Sequence, residues 1–143
     1  MNWKPWLWKW RADLSPAEIL LDSLVPAQRL IKRLQDILKA PVPYVGIDLS
    51  QPTKAKIAAF QDNIQSRIDE LTAQREKIVG LVKLIPDTTA RTVIELRYGL
   101  TGSGCQKVPW LDMEELMNYG RHSIFRYHRK GVDQLNQILE NGS

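Results

Sequence analysis

Cysteine and histidine are nearly missing from this chain. Of 143 residues, one is cysteine, Cys105, and two are histidine, His122 and His128. A lone thiol excludes an internal disulfide framework and any multi-cysteine zinc or iron–sulfur site. It suits a reducing cytoplasm, which is the expected location. Cys105 has no neighbouring histidine or acid to activate it, so a plain loop thiol is expected rather than a nucleophile. His122 and His128 fall on different faces of a helix and make a poor metal pair. Asp112, Glu114 and Glu115 resemble an acidic cluster but suit a solvated helix start. No catalytic residue, metal or cofactor is therefore expected, and the chain reads as a non-enzyme. No apolar run approaches the roughly eighteen residues needed to cross a bilayer. The N-terminus has no secretory apolar core, so neither export nor membrane insertion is expected. Internal repeats, low-complexity tracts and a convincing strand pair are also missing.

The charge that is present is unevenly placed. Lys and Arg number 20 against 16 Asp and Glu, a net +4. Residues 1–40 carry 7 basic and 4 acidic side chains, residues 41–85 carry 6 and 5, and residues 86–143 carry 7 and 7. Inside that last, neutral stretch, residues 118–131 hold Arg121, Arg126, Arg129 and Lys130 with no acid. A local cationic run with two histidines, in a helical segment, is what phosphates select.

Apolar spacing predicts an all-α fold. Ser15-Pro16-Ala17-Glu18 is a helix start, with Pro16 suited to the first turn and Ser15 and Glu18 placed as a capping box. Pro26 should break or restart this helix. A second amphipathic stretch, Ala27 to Lys39, places Leu30, Ile31, Leu34, Ile37 and Leu38 on one face. Residues 40–52 hold three prolines and a glycine and read as an extended connection. A long helix from about Thr53 to Leu84 follows. Its seam runs Ile57, Phe60, Ile64, Ile68, Leu71, Ile78, Val82 and Ile85, with Arg75 at one seam position and a stutter between Ile64 and Ile68. At 1.5 Å per residue such a helix is about 45 Å long and needs a partner. That partner is either Ala27–Lys39 folding back or a second copy, and a homodimer through the long helix is expected.

Asp87 then caps a helix carrying Val93, Ile94, Leu96 and Tyr98, and Gly99 ends it. After a glycine-bearing loop (TGSGCQK), Trp110–Met117 reads as a short helix, Asn118-Tyr119-Gly120 as a tight turn and Arg121–Leu139 as the last helix. The window Trp110–Arg129 fits a helix-turn-helix. Met113, Met117, Tyr119, Ile124 and Tyr127 occupy its interior positions, and Asn118 tolerates the left-handed turn. Glu114 stands where close helix approach favours a small residue. With Ile124 and Tyr127 inward, Arg121, His122, Phe125 and Arg126 point outward at the start of the second helix, where base edges are read. Arg121 and Arg126 suit guanine edges, and Arg129, Lys130 and Lys107 suit phosphates. The competing reading is a solvated basic face or a protein-binding surface. His128 is expected to hydrogen-bond at the helix surface or against the preceding helix.

These residues resemble a known family. IELRYGLTG (94–102) and the following helix pair are similar to region 4 of bacterial housekeeping sigma factors. A closer resemblance is to small phage-encoded late transcription regulators of the ArpU/RinA type. It is carried by APVPYVGIDLS (40–50), KIVGLVKLIPD (77–87), VIELRY (93–98), Trp110 and MNYGRHSIFRYH (117–128). The resemblance implies a helical, coiled-coil N-terminal half, a sigma-like C-terminal half and activation of phage genes on duplex DNA, with host RNA polymerase a possible further partner. Gly120 replaces the family's usual capping Ser, Glu114 replaces its Ala, and the loop after Tyr98 is longer.

The expected organisation is a Trp-rich segment (1–14), a helical and coiled-coil oligomerisation region (15–85) and a helix-turn-helix DNA-binding domain (86–143). Trp3, Trp6, Trp8 and Trp10, with Lys4, Lys9 and Arg11, suit either packing on the stalk or an oligomer interface, or else a membrane surface. Two other functions fit the same residues. One is a small-terminase-like component of phage DNA packaging, and the other is an interaction module that binds RNA polymerase.

Overall fold

The computed structural model describes residues 14–39 and 54–142. The Trp-rich segment, the 40–52 connection and APVPYVGIDLS lie outside the described residues. Five helices, α1 (Pro16–Lys39), α2 (Lys54–Val82), α3 (Thr88–Arg97), α4 (Trp110–Met117) and α5 (Arg121–Asn141), account for the fold, and no strand occurs among the described residues. The protein is all-α.

The start of α1 is a capping box. The Glu18 amide donates to Ser15 Oγ and the Ser15 amide to Glu18 Oε1, both at 3.3 Å. Contrary to expectation, Pro26 does not divide α1, which runs unbroken through it. The proline removes the donor that would reach the Asp22 carbonyl, but Pro26 and Asp22 are both exposed, so water can satisfy that carbonyl. Buried Leu24 and Val25 hold the helix against its neighbours at this point.

α1 folds back antiparallel on α2 and supplies the partner the long helix needs. Near the hairpin's distal end, Ile31, Leu34 and Leu38 pack with Ile64, Ile68 and Leu71. Near its base, Ala17, Leu21 and Leu24 meet Ile78, Val82 and Ile85. Ile57 and Phe60, in the first turns of α2, are only half-buried. The core at the base also takes in Ala90, Ile94 and Tyr98 of the α3 region and Val132 and Leu135 of α5. The boundary placed at 85/86 therefore crosses a shared core rather than a linker.

The end of α3 shows why Gly99 is there. It has φ +73°, and its amide donates to the Leu96 carbonyl while the Leu100 amide donates to that of Glu95. This pair of bonds closes the helix with one left-handed residue, a conformation glycine adopts without strain. The C-terminal half of α5 serves the fold. Asn136 Oδ1 accepts from the Ala17 amide at 2.9 Å and Gln134 Oε1 from the Asp87 amide at 3.1 Å, satisfying donors at the starts of α1 and α3. Its N-terminal half keeps one face, opposite Ile124, in solvent.

Candidate nucleic-acid interface

α4 and α5 are joined by Asn118 in the left-handed conformation, φ 56°, followed by extended Gly120. Two helices with so short a turn must cross steeply, and Val93, Met113 and Ile124, all fully buried, fill the crossing. Of the five interior positions, Met113 and Ile124 are buried and Met117 and Tyr127 half-buried. Tyr119 departs from expectation: it is 39% exposed, with its ring 5.7 Å from that of Tyr127. The left-handed turn carries it past the core and onto the flank of α5. Glu114 fits at the crossing because its carboxylate reaches Arg121 Nη2 at 3.3 Å.

The burial of Ile124, Gly131 and Leu135 fixes the orientation of α5. On the opposite side His122, Arg126 and Arg129 follow at i, i+4 and i+7, one exposed stripe. Arg121 and Phe125 flank it on one side and Lys130 on the other. The first acid of α5 is Asp133. Along the stripe neither Arg126 nor Arg129 has an ion pair or hydrogen bond with a described residue; Arg126 lies 5.7 Å from the Tyr127 ring.

The remaining cations are tethered. Lys130 Nζ is 2.8 Å from Asp87 Oδ2, and this contact holds the Asp87 carboxyl below the usual carboxylate range. Lys107 Nζ lies 3.0 Å from Asp22 Oδ1 on α1 and 5.3 Å from the Tyr98 ring, so the structure ties it to α1 and α3 rather than to the α5 stripe. Exposed pairs of this kind add little to stability and exchange readily for a phosphate.

Trp110 is the residue that sequence reasoning undervalued. Arg97 of α3 sits 4.0 Å above its ring, and Phe125 and His128 of α5 meet it edge-on at 4.9 and 5.1 Å. Arg97 also donates to the Val108 carbonyl at 2.7 Å and so draws in the loop that leads to α4. Phe125 is therefore half committed to packing, although 43% of it stays exposed beside the stripe. No local pattern links residues 97, 110, 125 and 128; only the helix crossing does.

His128 shares a hydrogen bond of 3.1 Å with the Tyr98 hydroxyl. Burial pushes its pKa down to about 4, with the nearby Arg97 charge adding to the effect, and burial pushes Tyr98 up to about 12. The folded state thus holds His128 neutral, whereas the unfolded chain takes up a proton near pH 6.5. This contribution is complete above that pH and is lost as pH falls from 6.5 toward 4. Between about pH 7.5 and pH 5 the loss should be about 2 kcal/mol. Urea unfolding of the wild type should show it, and His128→Gln, which does not titrate, should show a flat profile over the same window. An unchanged slope in the variant would place the effect elsewhere.

Among the described residues no group of three or more His, Cys, Asp or Glu is placed to hold a metal ion, and no helix is long and apolar enough to cross a membrane. No protein-family model, curated protein or solved structure matches this chain.

Proposed function

We propose that this protein binds duplex DNA by laying the first turns of α5 in the major groove, as a sigma-region-4-like transcription regulator of the phage type. The observation that carries the reading is the exposed, acid-free stripe His122–Arg126–Arg129 on the second helix of a helix–left-handed turn–helix whose inner face is fixed by Ile124. Arg126 and Arg121 are placed to reach guanine edges, with Arg121 exchanging Glu114 for the base. Arg129 and Lys130 are placed for phosphates, and Lys107 is farther from this role because Asp22 holds it. Such a chain has no need of catalysis or a cofactor.

The reading is tested by selecting from a random duplex pool with the purified full chain and sequencing what is retained. Enrichment of a motif about four to six base pairs long is expected for one recognition helix. Retention without enrichment, or none at low salt, would falsify it.

A homodimer through the long helix would have to use its Ile57–Phe60 end, because α1 occupies the rest of the seam. A second surface suits a protein partner, for which RNA polymerase is the candidate carried by the sigma-like reading: Leu111 and Leu116 of α4 are 61% and 64% exposed, beside Asp112 and Glu115. A phage-packaging role draws no particular support from this arrangement.

A further inference from the structure

The tip of the loop between α3 and α4 is held between α1 and α2. Gly104 is buried with φ +78°, and a Cβ there would lie 2.8 Å from Arg75 Nη2 and 3.1 Å from Gln28 Cγ. Arg75 of α2 and Gln28 of α1 thus grip the tip from two sides. Arg29 Nε donates to the Cys105 carbonyl. Beside this contact lies an open cleft of about 290 Å³ lined by Arg29, Lys32, Arg33, Asp36 and Cys105. Spacing of three and four residues puts the three cations on one face of α1.

Two features mark this cleft as incomplete. Lys32 and Arg33 have no hydrogen bond or ion pair with a described residue, and Asp36 is the only acid among the described residues of the lining. Arg75 of α2, whose Nη2 lies against Gly104 next to the lining residue Cys105, has its Nε buried with no acceptor among the described residues. A guanidinium donor removed from water without a partner is costly, and the cost disappears when an acceptor reaches it. Three cations against one carboxylate in the described lining select an anion, and guanidinium forks fit tetrahedral oxyanions.

The geometry points to a phosphate-binding site at the meeting of α1, α2 and the 103–105 loop, in which Arg29, Lys32 and Arg33 supply the charge and Arg75 closes it from beneath. The phosphate is either a free phosphate or its monoester, or a phosphodiester of a nucleic-acid backbone. No residue of α5 takes part, so the site stands or falls separately from the DNA reading above.

Inorganic phosphate is titrated into the full-length protein at constant ionic strength, with backbone amide resonances as the readout. Saturable shifts are expected at residues 29–33 and 103–106, with none along His122–Arg129. The Lys32→Gln/Arg33→Gln variant should bind at least about tenfold more weakly. Arg75→Leu puts an apolar residue in the α1–α2 seam, so it should keep its helicity and unfolding temperature while also losing affinity. Retardation of duplex DNA by the Lys32/Arg33 variant separates the two sources. Weaker retention with a shallower salt dependence assigns the phosphodiester, and unchanged retention with the phosphate response lost assigns the free anion. Shifts that never saturate, or that match in wild type and variants, overturn the site.

Discussion

Arg126→Ala should cost duplex binding about 1–3 kcal/mol, roughly tenfold to a hundredfold, and should flatten the preference for the selected motif. Arg126 lies in the middle of the exposed stripe, so on the proposed reading its fork would reach the groove without an ion pair or hydrogen bond being broken. Arg129→Ala, one turn further along, should act differently: affinity falls on every sequence and the salt dependence loses about one unit of slope, the signature of a phosphate contact. Far-ultraviolet circular dichroism should be unchanged in both, because neither side chain is buried or bonded within the described protein. Equal retention by wild type and the double variant would sink the proposed recognition face.

The tethered cations make a graded comparison. If α5 enters the groove as proposed, Arg121 would contact DNA only by leaving Glu114, and Lys130 only by leaving Asp87. Both pairs are partly solvated, so each exchange is cheap. The exchanges also couple DNA contact to the frame: Glu114 belongs to the first helix of the pair, and Asp87 is the cap of α3, accepting from the Ala90 amide at 2.8 Å. A cation that leaves either carboxylate for a phosphate does not leave it unsatisfied, because Asp87 retains its amide bond and Glu114 remains in contact with water.

Much of the fold was legible in the sequence because its signals are local. Ser15 and Glu18 announced the start of α1, Asp87 and Gly99 bounded α3, and Asn118 marked the turn by its tolerance of positive φ. The outward face of α5 followed from placing Ile124 and Tyr127 inward, since its inward residues fix the rotation of a helix. What stayed hidden depends on tertiary contact. Pro26 is tolerated because its orphaned acceptor lies on the wet side of α1, and no propensity encodes that. The partner of the α2 seam was narrowed to two choices, and the antiparallel hairpin selects α1 for most of its length. The gathering of Arg97, Phe125 and His128 around Trp110, and the hold of Asp22 on Lys107, join residues far apart in the chain. Periodicity carries no information about such pairs.

Two helical glycines should respond to alanine with opposite signs. Gly80 sits exposed in α2, and a Cβ there would meet nothing within 4 Å. Alanine adds helix propensity and removes unfolded-state freedom, so Gly80→Ala should stabilise by about 0.5–1 kcal/mol. Gly131 of α5 faces α3 at its closest approach. A Cβ would lie 2.8 Å from Ile94 Cγ1 and 3.2 Å from the Ala90 carbonyl oxygen. The isoleucine is fully buried and has nowhere to swing, and the carbonyl belongs to a helix, so the two helices themselves must separate. Overpacking of this kind costs about 1–3 kcal/mol, which outweighs the gain of up to about 1 kcal/mol from propensity. Gly131→Ala should therefore lower stability by up to about 2 kcal/mol. Gly131→Val adds two more methyl groups and the penalty of a β-branched side chain, and should cost at least about 3 kcal/mol. Because α3 also supports Arg97 beneath Trp110, prying α5 away from it should loosen the helix pair as well, weakening DNA retention even where the stripe is intact. Chemical denaturation checks the first effect and retardation by folded Gly131→Ala the second. A Gly131→Ala protein as stable as Gly80→Ala would mean that α3 and α5 do not approach this closely.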